Sequence, residues 1–318
     1  MISYIWVDLT VGQKDVMITQ PPFLKKGDKI GLVAPARAIE QDKMEFAEKI
    51  IRSWGLQPIR GKNLLGKHFQ YSGTDENRLH DLQEMMDHDE IKAVLCAGGG
   101  YGSVRLISKL RLEKFIEYPK WLIGFSDITI LHALIESQTG IQTIHGTMPV
   151  KFGKGEKEKM SMESLRQALF GELGEYEIQS VRENVHGQCK GTLIGGNLSI
   201  LYSLLGTPFD MAYKDKILFV EEVDEYLYHI DRMMQSLRLA GKLKQLKGLI
   251  VGSFSKVHDN ESPFGSNERE IILQAVSGYD FPVMFGFPAG HSHLNMALYL
   301  GRKVHLEVRE ETCTMKYV

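Results

Sequence analysis

Short apolar runs alternate with longer segments of helical periodicity along the first half of the chain. The run 29–34 stops at Pro35, and over 40–55 the residues Met44, Phe46, Ile50, Ile51 and Trp54 recur at helical spacing. The same reading predicts a helix over 75–86, a strand over 91–97 entering a glycine run, a helix over 103–110, a strand over 121–123 and a helix over 127–138. Strands and helices in this alternation predict an α/β fold whose parallel sheet is covered by helices on both faces.

The pattern breaks over 151–174, where four lysines and two glycines crowd the first nine residues before a helix-like stretch at 161–170. An interdomain connection is expected there. Regularity returns with Gly191-Thr192-Leu193-Ile194-Gly195-Gly196-Asn197, a helix over 198–205, a strand over 217–220, a helix over 230–240 and a strand over 249–253. The expected organisation is therefore a first domain over 17–153, a linker over 154–185 and a second domain over 186–318. Residues 1–16 read poorly as part of either domain, which makes Met17 the expected start.

Composition narrows the function by exclusion. The 38 basic and 40 acidic residues leave a net charge of -2, so no electrostatic footprint for nucleic acid or an anionic membrane is expected. Cys96, Cys189 and Cys313 are odd in number and far apart, with no CxxC pair, which fits a reducing, cytoplasmic setting. No stretch approaches the roughly 18 apolar residues of a membrane span. Chemistry must therefore be sought in a site.

Four clusters offer one. In Gly124-Phe125-Ser126-Asp127 the serine sits between a strand and a helix, as a nucleophile elbow requires, but Ile128 stands where a G-x-S-x-G motif has its second glycine. Taken alone, this serine fits a helix N-cap better than a nucleophile. The loop Ala97-Gly98-Gly99-Gly100-Tyr101-Gly102-Ser103 could cradle a phosphate or an oxyanion, or be only a tight turn; Ser103 occupies the third glycine position of a dinucleotide fingerprint, and no Walker lysine follows. Glu221 and Glu222 end a predicted strand, where period-2 alternation sends at most one into a site, and both could equally be solvated turn residues. His291 and His293 share a glycine-bounded loop and could ligate a metal with His132 or His145, although no zinc-type spacing supports this; His145 is expected instead to orient backbone at a strand end.

Taken in order, these segments resemble the LD-carboxypeptidase family, cytoplasmic serine peptidases that trim murein tetrapeptides and include the microcin C immunity proteins. The resemblance runs from about Lys25 to Val308. It rests on Gly27 to Pro35, Gly73 to Arg78, Gly99-Gly100-Tyr101-Gly102, Ile123 to Ile128, His145-Gly146, Gly195 to Leu198, Leu218 to Glu222, Ile230-Asp231-Arg232 and Pro288 to His291. It departs at Gly98, where an arginine often precedes the Gly-Gly-Tyr-Gly run.

The resemblance implies a flavodoxin-like N-terminal domain and a smaller α/β C-terminal domain, with Ser126 as nucleophile, His291 as base and Glu221 as its orienting carboxylate. The backbone N–H groups of Asp127 and of Gly99 or Gly100 would form the oxyanion hole. It also implies a homodimer, no cofactor or metal, and a small muropeptide substrate cleaved between an L-configured centre of diaminopimelate or lysine and a terminal D-alanine. Cleavage of a peptidyl-nucleotide amide on the same fold, a non-catalytic anion- or nucleotide-binding module, and a metal-dependent amidohydrolase built on His291 and His293 are the competing readings. Spacing does not choose among Arg105, Arg232 and other residues for binding a terminal carboxylate.

Overall fold

A computed structural model describes residues 18–318. The expected start at Met17 lies outside the described residues.

The first sheet is formed by β1 (Lys29–Val33), β2 (Gln57–Arg60), β3 (Ile91–Cys96), β4 (Trp121–Gly124) and β5 (Thr143–His145). These strands are parallel and lie in the order β2-β1-β3-β4-β5, the doubly wound arrangement of flavodoxin-like folds. Their residues alternate between two apolar layers. On one face Val33, Val94, Cys96 and Leu122 meet α2 (Asp75–Asp87) and α4 (Thr129–Thr139). On the other, Ile30, Leu32, Leu95 and Ile123 meet α1 (Gln41–Ser53) and α5 (Glu156–Phe170). A short helix, α3 (Glu113–Glu117), precedes β4.

The second sheet is mixed. It contains β6 (Tyr176–Gln179), β7 (Gly187–Asn197), β8 (Lys216–Val223), β9 (Gly248–Ser255), β10 (Val283–Phe285), β12 (Lys303–Val308) and β13 (Thr312–Tyr317), in the order β10-β9-β8-β7-β12-β13-β6. The first four of these neighbours run parallel and the remainder pair antiparallel. The helices α6 (Leu198–Ser203), α7 (Leu227–Leu239) and α8 (Glu268–Val276) join it. Residues of α4, α6 and α7 belong to one apolar cluster with both sheets, so the two halves share a core.

A late strand, β11 (Leu298–Leu300), crosses back and pairs antiparallel with β5 at the edge of the first sheet. Its Tyr299 packs on Trp121 of β4 at 5.3 Å between ring centroids, and Trp121 stacks on Phe23 at 5.7 Å. The span expected as a linker, 154–185, carries α5 and β6, both packed into the body of the protein.

One predicted helix is corrected. Residues 103–110 form two 3-10 turns, Ser103–Arg105 and Ile107–Lys109. Leu106, at φ of -103° and ψ of -33°, divides the segment into its two turns, and the Ser103 N–H at its start is taken by the Asp127 carboxylate. Among the described residues, no helix is long and apolar enough to cross a membrane.

Candidate active site

The chain leaves β4 through a turn that bends sharply at one residue. Ser126 has φ of 64°, a left-handed conformation that costs a non-glycine residue about 1–2 kcal/mol. Close packing holds it there. A side chain at Gly124 would meet Ile128 at 2.8 Å, so the isoleucine fills the space opened by the one glycine of the half-motif. Ser126–Ile128 is a 3-10 turn leading into α4, with no side chain capping it, so the N-cap reading of Ser126 is corrected. At φ above zero, the serine lacks the extended backbone from which a cap reaches the turn.

The Ser126 hydroxyl lies 2.9 Å from His291 Nε2, and His291 Nδ1 lies 2.7 Å from Glu221 Oε2. Nδ1–H donates to the fully buried carboxylate, leaving Nε2 to accept from the serine. The same carboxylate oxygen accepts the His291 backbone N–H at 3.1 Å, so Glu221 holds both ring and main chain. Gly290, with φ of 112°, permits this approach: a Cβ there would come within 2.7 Å of Glu221 Oε2. Two further bonds hold the loop, Ser255 Oγ donating to the His291 carbonyl at 2.8 Å and Gly290 N–H to Asn295 Oδ1 at 2.9 Å. Ser255 and Asn295 act through position alone, and residue type gave no signal for them.

Glu222 points the other way, as strand alternation requires. Its carboxylate accepts from Asn197 Nδ2, the backbone N–H groups of Val223 and Ser199, and Ser199 Oγ, and burial pushes its pKa up. Both glutamates are buried, which excludes the solvated-turn reading for either.

The glycine loop lies against the elbow. A Cβ on Gly99 would meet Ser126 Cβ at 2.8 Å and the Asp127 amide nitrogen at 3.4 Å, so only bare backbone fits. The Asp127 N–H opens the turn and belongs to the unpaired donors of a helix N-terminus. The Asp127 side chain, buried, accepts the Ser103 N–H at 2.9 Å and so fastens the far end of the loop to the elbow; burial raises its pKa. Behind the loop, buried Arg78 donates to the Pro35 carbonyl at 2.5 Å and lies where a Gly102 side chain would stand. Gly100, at φ of 109°, admits the side chain of Arg37, an exposed cation without a carboxylate partner among the described residues. Sequence reading passed over Arg37. Arg105 is paired with Asp75 at 2.7 Å, and Arg232 sits over the Tyr228 ring.

The second half clamps the elbow from behind. Thr129 Oγ1, in the first turn of α4, accepts the Asn197 N–H at 3.0 Å, and a Cβ on Gly196 would collide with it at 2.4 Å. Gly195 is pressed against β8, where a Cβ would lie 1.9 Å from the Phe219 carbonyl oxygen.

The histidines proposed as metal ligands do not converge. His293 is exposed and faces Glu158 at 3.4 Å, while His132 Nε2 bonds the Gly124 carbonyl at 3.0 Å. Among the described residues, the three-donor cluster is His80, Asp81 and Glu84 on α2, which includes none of them. Burial lowers the His132 pKa to about 4 and that of His145 well below the usual histidine range. The expected backbone role of His145 is also corrected: neither ring nitrogen bonds a backbone group, the Asn295 side chain lies beside the ring, and the ring packs among Phe125 and Phe219. Aromatic packing at a fully buried strand residue replaces the expected polar contact.

Ser126, Glu221 and His291 therefore meet at the carboxyl ends of β4 and β8, beside a cleft of about 880 Å³ that reaches Phe125 and His291. A hydroxyl, an imidazole and a carboxylate in this relation can pass a proton from oxygen to the ring as the oxygen attacks an acyl carbon. Residues 30–146 match the LD-carboxypeptidase N-terminal domain and 190–306 its C-terminal domain. The chain is 35% identical over 302 residues to a probable murein peptide carboxypeptidase of Bacillus subtilis, covering 93% of this chain and 94% of that one. It is 31% identical over 291 residues to the murein tetrapeptide carboxypeptidase of Pseudomonas aeruginosa, covering 88% and 93%. The crystal structure of a muramoyltetrapeptide carboxypeptidase from Oxalobacter formigenes superposes with a TM-score of 0.82 at 25% identity, over 91% and 98% of the two chains. MccF in complex with glutamyl sulfamoyl guanosine shares the fold with a TM-score of 0.83 at 22% identity, over 93% and 98%.

Proposed function

The chain belongs to the LD-carboxypeptidase family, and from that premise we propose that it is a serine peptidase releasing terminal D-alanine from a murein tetrapeptide through Ser126, His291 and Glu221. The observation that carries the reading is the continuous hydrogen-bonded path from Ser126 Oγ through His291 to Glu221, assembled from residues 165 and 70 positions apart. A binding module in which Ser126 merely shaped a turn has no need of that path.

In the proposed reaction, Ser126 Oγ attacks the carbonyl of the L-configured residue before D-alanine while His291 Nε2 takes its proton. The resulting oxyanion is met by the Asp127 N–H, at a helix N-terminus, and by an N–H of Gly99 or Gly100. Collapse expels D-alanine, whose amine receives the proton from His291, and leaves the tripeptide acylated on Ser126. Water then repeats the sequence and frees the serine. Glu221 stabilises the imidazolium at both stages without taking its proton. On the glycine-loop side, Arg37 is an unpaired cation available to the departing carboxylate.

The test is substrate choice. The protein is expected to release D-alanine from a diaminopimelate tetrapeptide and to leave glutamyl sulfamoyl guanosine intact; efficient cleavage of the nucleotide amide with no release of D-alanine would reverse the assignment.

A further inference from the structure

The lysine-rich stretch that breaks the sequence pattern at residue 151 forms a wall of the active-site cleft. Lys151, Lys154 and Lys157 line the cleft from this segment, Lys43 from α1 and Lys256 from the end of β9, with His291 among the other lining residues. Glu158 is the single carboxylate in the lining, and it faces His293 at 3.4 Å. None of the five lysines has an acidic partner within ion-pair distance among the described residues, and all five are exposed.

The backbone that carries them is held. Val150 N–H donates to the Ala97 carbonyl at 3.0 Å, tying the segment to the glycine loop. Buried Phe152 packs near Trp54 at 6.1 Å, and the Glu158 side chain folds over Gly153 and Gly155, where a Cβ would meet it at 3.0 Å and 2.1 Å. Lys157 lies in the first turn of α5, where a cation opposes the helix dipole. A positive charge in that position is unfavourable to the helix, so local folding does not account for it.

Five unpaired cations around one concave surface focus a positive potential on whatever occupies it. The overall charge of -2 conceals this local excess. We propose that Lys43, Lys151, Lys154, Lys157 and Lys256 are specificity-determining residues that select acidic peptides, favouring an acyl part with an additional carboxylate. The proposal rests on the peptidase reading. For the proposed substrate it distinguishes diaminopimelate from lysine at the cleaved position, because the two differ by one side-chain carboxylate.

The experiment compares a diaminopimelate tetrapeptide with its lysine counterpart, using the full chain and a Lys151→Ala/Lys154→Ala/Lys157→Ala variant. The wild type is expected to favour the diaminopimelate peptide in kcat/KM, with the preference falling as salt is raised. The variant should lose about tenfold on that peptide, chiefly through KM, and far less on the lysine peptide. Equal losses on both, or no loss, would overturn the lysine wall while leaving D-alanine release intact. Affinities of both peptides for Ser126→Ala protein, with and without the three lysine substitutions, read the wall without turnover. If the wild type releases no D-alanine, the peptidase reading fails on its own, and the binding arm still decides the wall: a preference that the lysine substitutions abolish upholds it, while equal affinities or absent binding refute it.

Discussion

The left-handed backbone of Ser126 sets stability against the proposed reactivity at one residue. Glycine relieves that conformation and alanine does not, so Ser126→Gly should be more stable than Ser126→Ala by about 1 kcal/mol, although the proposed mechanism requires both to be inactive. Chemical denaturation of the two variants measures the difference; equal stability would mean that the turn is not strained. Ser126→Ala and His291→Ala should each lower kcat by about a millionfold, with the double variant no worse, because the two act as a unit. Additive losses in steady-state kinetics would count against joint action. Glu221→Gln should cost less, about ten-thousandfold, while Glu222→Gln should weaken folding and leave kcat near the wild-type value. The hydrogen bonds of Glu222 run to the start of α6 and not to His291. Strand alternation made it legible that only one of these glutamates enters the site, but the resemblance was needed to say which. Ser255 and Asn295 were not legible, since their work depends on a loop path that no local pattern encodes.

Among elements, the elbow and the helix behind it form one device with the glycine loop. Asp127→Ala frees the Ser103 N–H from its partner and should loosen the loop proposed to face the oxyanion, lowering kcat about a hundredfold. Asp127→Asn keeps an acceptor oxygen and should lose much less; equal losses in the two variants would place the effect elsewhere. His132 supports the same turn through the Gly124 carbonyl and has its pKa depressed from 6.5 to about 4. Above pH 6.5 the ring is neutral in the folded and unfolded chains alike. As the pH falls toward 4, only the unfolded chain gains the proton, so this residue removes roughly 3 kcal/mol of stability across that window. The stability difference between wild type and His132→Gln should therefore shrink from pH 7 to pH 4.5, and a constant difference would contradict the buried neutral ring. Periodicity revealed β1, β3, β4, α1 and α2, where a single face or a continuous apolar run is buried. It failed at 103–110, where the tertiary bond from the Ser103 N–H to Asp127 fixes the start of the segment and Leu106 divides it into two 3-10 turns.

At the scale of the whole molecule, the site exists because two sheets share a core. Ser126 comes from the first and Glu221 from the second, while His291 lies on the path by which the chain returns to add β11 to the first sheet. The parallel first sheet followed from the alternation of strands and helices. The mixed second sheet and the return of β11 did not, because strands of three residues carry too little pattern to announce a partner 153 to 157 positions away. The 151–159 stretch gave a related difficulty: its charge and glycines read as a connection, although packing of Phe152 and Glu158 makes it a cleft wall. The central claim is that this assembly hydrolyses an L,D-peptide bond with Ser126 as nucleophile. It is tested most directly by measuring D-alanine release from diaminopimelate tetrapeptide by wild type and Ser126→Ala side by side, in a strong metal chelator. The account predicts rapid release by the wild type and none above background by Ser126→Ala; release by the variant at the wild-type rate, or by neither protein, would contradict it.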